Sequence, residues 1–522
     1  MSDIFFGRNS NAGSGTKSDP YPSFASASGV THGDVLWGES GYVFSEQFPT
    51  LWVQANNLRL DVWGGSKRPE IDMAVRRVDF TWNATYQCWT RTYADNIVGC
   101  VRMDGAPLTF VEWKGSIAAT RGAMTDGSWT FDGVNFILYI DWPSCPVVHV
   151  AESLYCVNLN YARSGLRITG WAFKGATRHG MEHYARTDFL YTDIEVAYVG
   201  GHYIGGSAMN LGNGIEFNDG SARGRIVNPW IHDIFDSGIS PQLHDENATL
   251  SDIAIVGATI ERCGQAGVEV SIQGGTTTVT MERIAVEDCD VRESGYGWSG
   301  RRYNGGWGIQ VIANKTGAGF TVSHVGVRKN RISDCADAGI VLSRWKSSSL
   351  EVAGNEMDRC GQGIRTTYIA GETAGYGALV GNIARDCTIG IKIACDVSGT
   401  VLDLINNTLA RCDTGVSLEH SAGTVNLKNN GVAECDVGIS VTGAGTVNKD
   451  KNALHGNGTD YSGTTQGTDT TRVPRPFDDS YRTLLPSSEW ITGGGDQGLR
   501  QGYNGLLRAP YPLGASNRVA LR

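Results

Sequence analysis

Four carboxylates stand where they can act together: Glu216, Asp219, Asp236 and Glu269. Glu216 and Glu269 each take the second place after the glycine of a Gly-apolar-x-apolar run, Gly214-Ile-Glu-Phe and Gly267-Val-Glu-Val. In a strand that place faces away from its apolar neighbours. The same place in further runs holds Ser240, Gln310, Val341, Arg365 and Lys392, so stacking the runs makes one outward column. With only the Ser240 run between them, Glu216 and Glu269 lie two coils, roughly 10 Å, apart. That is the wide end of the ~6.5–9.5 Å separating acid from base in inverting glycosidases. One carboxyl would protonate the leaving oxygen while the other activates water. The competing reading is a pair of outward carboxylates that only keep a solvated sheet soluble.

A second group follows: Asn218-Asp219, His232-Asp233, Asp236 and His244-Asp245-Glu246. Neighbouring carboxyls can raise one another's pKa into the general-acid range, and His232 and His244 add proton-transfer and substrate-binding capacity. The same oxygens can hold calcium, or serve as ordinary turn residues bonding their own backbone. Calcium is therefore a possible ligand, and no other cofactor is expected. His179, Glu182, His183 and Tyr184, with His202-Tyr203 following, offer a histidine or tyrosine base for β-elimination from a uronate, although histidine-rich turns are more often structural. Glu182 and His183 also resemble a metal-ligand pair, but no third ligand appears at suitable spacing, so no zinc site is expected. The loop 294–307 carries Tyr296, Trp298, Arg301, Arg302, Tyr303 and Trp307 among glycines. Aromatic faces pack on sugar C–H surfaces and arginine forks bind acidic groups, which makes these candidate substrate-binding residues. Docking onto a neighbouring subunit is the alternative.

The elements that must position these residues are short and periodic. Cys263, Cys289, Cys335, Cys360, Cys387, Cys412 and Cys435 recur at intervals of 26, 46, 25, 27, 25 and 23 residues. Each of the last five follows an asparagine by five residues: Asn330, Asn355, Asn382, Asn407 and Asn430. Glycine-led strands come next, from Gly339, Gly363, Gly390, Gly415 and Gly438. Such a period, built from strands, is that of an all-β solenoid with one coil per repeat. Stacked thiols sit about 4.8 Å apart and parallel, poorly placed for disulfides, so they read as buried small hydrophobes. Stacked asparagines read as amides bonding along the axis. The expected organisation is a lead-in over 1–30, first coils over 31–72, a tryptophan- and tyrosine-rich β insert over 73–157, main coils over 158–456 and a cap over 457–522.

The formal charge of −10 argues against a nucleic-acid partner. No apolar run of about 18 residues marks a membrane span, and the opening Met-Ser-Asp-Ile-Phe-Phe-Gly-Arg has no leader-like pattern. A file of thiols folds most safely in a reducing compartment.

These features carry a resemblance. Gly33-Asp34-Val-Leu-Trp37, Trp63-Gly-Gly-Ser-Lys-Arg-Pro69-Glu-Ile-Asp72, Gly127-Ser-Trp129 and the closing Tyr481-Arg-Thr-Leu-Leu-Pro486 with Gly502-Tyr-Asn-Gly505 resemble the right-handed parallel β-helix proteins of the pectate-lyase-like class. That class includes polysaccharide lyases, glycosidases and phage tailspikes. The resemblance implies a right-handed parallel β-helix that binds, and as a tailspike cleaves, a bacterial surface polysaccharide. It also implies other tail proteins as partners and a homotrimer by analogy. With the thiol file and the missing leader, the expected setting is a phage virion, its spike folded in the host cytoplasm. The alternatives are an extracellular lyase or glycosidase of the same fold, and a non-catalytic receptor-binding tail protein. No catalytic signature of the class is matched residue by residue.

Overall fold

The computed structural model describes residues 2–471 except 10–11, 28, 50–51, 53, 94–97, 133, 141–143, 204–209, 245–247, 274–278, 299–304, 314–319, 344–349, 368–375, 395–396 and 466–469. Three long parallel sheets run the length of the molecule. Sheet A has 14 strands, from Asp3–Phe6 to Thr446–Asp450, and sheet B has 14, from Val43–Phe44 to Thr470–Thr471. Sheet C has 12, from Ser153–Leu159 to Thr459–Ser462. Each rung visits them in that order, as in Thr249–Val256, Thr259–Cys263 and Ala266–Ile272. This is the expected right-handed parallel β-helix. Period-2 alternation drives it: Ile253, Ile255, Ile260, Val268 and Val270 all point into the shared core and are fully buried. Each such side chain contributes on the order of 1.5–3 kcal/mol.

Two polar files hold successive rungs in phase. Asn330, Asn355, Asn382, Asn407 and Asn430 each donate Nδ2 to the Oδ1 of the next asparagine, ending at Asn452, over 2.9–3.0 Å. Each Nδ2 also donates to a backbone carbonyl, as Asn382 does to Val352 O at 2.9 Å. The thiol file differs from its expected membership. Strand register puts Ser294 between Cys263 and Cys335, whereas Cys289 stacks on Asn330, whose Oδ1 accepts the Cys289 backbone N–H at 3.0 Å. The 46-residue gap arose because two different corners were read as one. The seven expected members are free and buried.

The glycine opening each strand of sheet C was expected to make a sharp corner. None of Gly214, Gly238, Gly267, Gly308, Gly339, Gly363, Gly390 or Gly415 has positive φ. A Cβ on any of them would stand 2.4–2.8 Å from the carbonyl oxygen of the next glycine in the file, so close stacking is the reason for the residue.

Residues 1–30 are not an extended lead-in. Asp3–Phe6 already pairs in parallel with Val35–Glu39, and Phe6, Phe24, Phe44, Phe48 and Trp52 pack into an aromatic plug over the open end. An insert leaves the helix after Asp72. Mostly antiparallel sheets within Ala74–Arg77 to Val148–Ala151, with a short helix Ile117–Ala123, enclose a separate core around Trp129, Phe136 and Leu138. At the far end, Thr459–Ser462 and Thr470–Thr471 continue sheets C and B beyond the expected end of the coils at 456. The remainder of the expected cap, 472–522, lies outside the described residues.

Candidate active site

Sheet C aligns Glu182, Glu216, Ser240, Glu269, Gln310, Val341, Arg365 and Lys392 on successive rungs. The two glutamates expected to be two coils apart are so, with Ser240 between them. They are not solvated, however: Glu216 is 6% exposed and Glu269 3%. Solubilising the surface therefore cannot explain them.

Glu269 accepts hydrogen bonds from Ser237 Oγ at 2.9 Å and Gln273 Nε2 at 3.0 Å, with Ser240 Oγ at 3.4 Å. The corner that delivers Ser237 also delivers Asp236, whose Oδ1 is shielded from solvent and has no hydrogen-bond partner. Burial, then the charges of Glu269 and Glu216, push the Asp236 carboxyl well above the usual carboxylate range. Burial raises Glu269 too, with Glu216 adding to it and the serine hydroxyls opposing it. Glu216 goes the other way. Burial raises it, but His179 and the amides of Asn218 and Asn213 outweigh that and leave it low. Those amides donate to its two oxygens at 2.8 and 2.7 Å. Burial lowers His179, against the opposing charges of Glu216 and Glu182. A proton-holding pair, Asp236 and Glu269, thus faces an ionised Glu216. Environments that split carboxyl pKa values in this way assign acid and base roles.

One rung before Glu216, Glu182 accepts from Asn160 Nδ2 at 2.5 Å and pairs with Arg178 at 3.3 Å. His179, fully buried, has Nδ1 3.2 Å from Glu216 Oε2 and 3.2 Å from the Asn213 backbone N–H, while its Nε2 has no partner. His183 is not part of this group: it points into the core, where Tyr191 Oη lies 2.8 Å from its Nε2. Register brings Glu216 alongside Glu182, a neighbour that spacing along the sequence does not reveal.

The other expected site residues separate. Asp219 is buried and its Oδ1 accepts the His244 backbone N–H at 2.9 Å, so it braces a turn beside the acids and does not join them. His244 is exposed, and its backbone N–H on Asp219 places it at the rim. His232 lies on sheet B, not sheet C, between Asp233 at 2.7 Å and Glu195 at 3.4 Å, with Trp230 stacked at 4.1 Å. Lys174 pairs with Glu195 and Arg262 with Asp233, closing a network that offers nothing to a substrate on sheet C. The Asp233–Ser237 stretch turns a corner at Asp233, φ 53°, so residues three apart face different sheets. The expected calcium set is therefore not assembled among the described residues; 245–246 lie outside them.

Trp298 is not a glycan contact. It is 8% exposed, stacks on Trp129 at 5.8 Å and donates Nε1 to Val199 O at 3.0 Å, anchoring the insert to the coils. Tyr296 is exposed. Trp307 is half-buried, donating to Asp337 at 2.8 Å beside Arg365. Arg301, Arg302 and Tyr303 lie outside the described residues. Sequence reasoning passed over Asn213, Ser237 and Gln273; their signal was position, since each sits at an end of a sheet C strand beside a column carboxylate.

The family described as Periplasmic copper-binding protein (NosD) matches residues 268–466, well under half of the chain. No curated protein matches by sequence. Among solved structures, XylC in complex with xylose is 14% identical over 92% of this chain and 88% of that chain, with a TM-score of 0.55. The GH136 lacto-N-biosidase of Eubacterium ramulus is 12% identical over 87% and 68%, with a TM-score of 0.45. The periplasmic alginate epimerase AlgG is 13% identical over 59% and 78%, with a TM-score of 0.39.

Copper does not fit the matched span. Its two methionines, Met281 and Met357, and its file of thiols are buried in the core, and among the described residues no three His, Cys, Asp or Glu side chains converge there. What fold and likeness establish together is the architecture: this chain is a right-handed parallel β-helix.

Proposed function

We propose that the protein binds a polysaccharide along the outer face of sheet C and hydrolyses it there, Asp236 and Glu269 supplying the proton and Glu216 the opposing carboxylate. The observation that carries this reading is three carboxyls gathered on neighbouring rungs, Glu216 and Glu269 buried and Asp236 keeping a shielded oxygen with no hydrogen-bond partner. A buried polar atom without a partner is destabilising, and a purely structural column would avoid it. Protonation of the leaving oxygen breaks the C–O bond, and water, losing a proton to Glu216, takes the leaving group's place. Two rung spacings from Glu216 to Glu269, roughly 10 Å, leave room for that water and favour inversion at the anomeric carbon. The xylose-bound XylC, similar in fold, supports a saccharide ligand.

The setting we propose is a phage virion, in which the chain acts as a spike on bacterial surface polysaccharide, with tail proteins and two further copies as partners. The file of unlinked thiols, suited to folding in a reducing cytoplasm, supports this setting. The test is reducing-end release from a panel of capsular, O-antigen and plant polysaccharides, with NMR of the first-formed anomer. Release that survives both E269Q and D236N removes the catalytic assignment. An unsaturated, ultraviolet-absorbing product would replace hydrolysis with elimination. Binding without release would leave a receptor-binding protein.

A further inference from the structure

We propose that His179, Glu182 and Glu216 bind one divalent transition-metal ion at the edge of the acid face. Among the described residues this is the one group of His, Cys, Asp and Glu side chains whose donor atoms converge, each within 4.8 Å of the others. The 3.2 Å between His179 Nδ1 and Glu216 Oε2 suits two ligands of a single ion. Ligands ~2.1 Å from an ion at tetrahedral angles stand about 3.4 Å apart.

Further observations point to a cation. Asn160 and Asn218, whose amide groups donate to Glu182 and Glu216, each keep a shielded Oδ1 with no donor. Among the described residues Arg178, 3.3 Å from Glu182, is the one arginine or lysine paired with either carboxylate. Register adds the geometric reason. Glu182 and Glu216 are direct cross-strand partners, an arrangement of like charges that is destabilising unless something positive lies between.

The donor set selects the ion. One imidazole and two carboxylates suit zinc or manganese, lack the sulfur that copper(I) prefers, and supply fewer oxygens than the six to eight of calcium. Three protein ligands leave a fourth position open for water or a sugar oxygen. Glu216 is shared with the hydrolytic reading, yet ion binding rests on separate observations and is measured without any saccharide.

The experiment uses the full chain stripped with a chelator and titrated with zinc chloride alone by calorimetry, then with cobalt(II) followed by visible absorption. One ion per chain and a cobalt ligand-field band are expected. H179Q and E182Q should each weaken binding at least tenfold while far-ultraviolet circular dichroism stays unchanged; E182D, should E182Q fold poorly, should retain the band with altered intensity. Absence of heat and of a cobalt band in the unmutated protein overturns the proposal, as does binding indifferent to both substitutions. Failure here leaves hydrolysis standing, and absence of hydrolysis leaves the ion site standing.

Discussion

Two stretches of this solenoid bury polar side chains in files, and they do so to opposite ends. Between Asn330 and Asn452 every amide donates to the next and to a backbone carbonyl, and its oxygen accepts from the rung before. Between Glu182 and Glu269 the file is made of carboxylates, with Ser240 interposed, and shielded atoms on His179, Asn160, Asn218 and Asp236 have no partner. The fold is the same and the spacing is the same. A repeat that satisfies itself along the axis is structural, whereas one left unsatisfied on an outer face is being kept for something that arrives from outside.

The largest effect should come from the unsatisfied stretch. E269Q or D236N is expected to lower hydrolysis 10²–10⁴-fold, with thermal melting little changed because the amide replaces a carboxyl that already holds its proton. A large loss of melting temperature would instead assign these acids to the scaffold. Next comes W298A, which empties the contact between insert and coils. A loss of about 3–5 kcal/mol, with early proteolysis within the insert and an intact solenoid fragment, would fit Trp298 as its anchor; unchanged stability would return the residue to the surface. In the satisfied file, N382A strands donors and acceptors on Asn355, Asn407 and Val352. It should cost about 2–4 kcal/mol in urea unfolding and leave activity alone.

The smallest effect belongs to His232. Burial lowers its pKa, but Asp233 and Glu195 outweigh that and the folded value is raised. Its contribution is therefore fully present below about pH 6.5 and fades as pH rises through the folded pKa. Lys174 and Arg262, facing the same carboxylates, keep the network partly together when the ring loses its proton. Urea midpoints measured from pH 5.5 to 8.5 should fall more for the unmutated chain than for H232Q, and parallel curves would dismiss the role.

Much of this was legible beforehand. The glycine-led runs gave the outward column in its true order, because alternation in a strand leaves no freedom in which side a residue faces. The asparagine file was equally open, since one residue type repeats at one corner. What failed were inferences from closeness in sequence. His232 and Asp236 are four apart but straddle a corner, and Cys289 kept the cysteine period while standing at the asparagine corner. Trp298 looked exposed in a glycine-rich loop because the insert that covers it lies far away in sequence. The His179–Glu216 contact was hidden likewise, since only cross-rung register brings it about.

The chained amides have a consequence for how the molecule can change in size. Excising residues 382–406 would seat Asn407 where Asn382 had been, Cys412 above Cys360, and Thr414–Leu418 against Gln362–Thr367, with every axial bond re-formed. Removing half that stretch would match nothing. Viable lengths for this tube are therefore quantised: it can be shortened or extended by whole turns, each moving its tip by one strand spacing, about 4.8 Å.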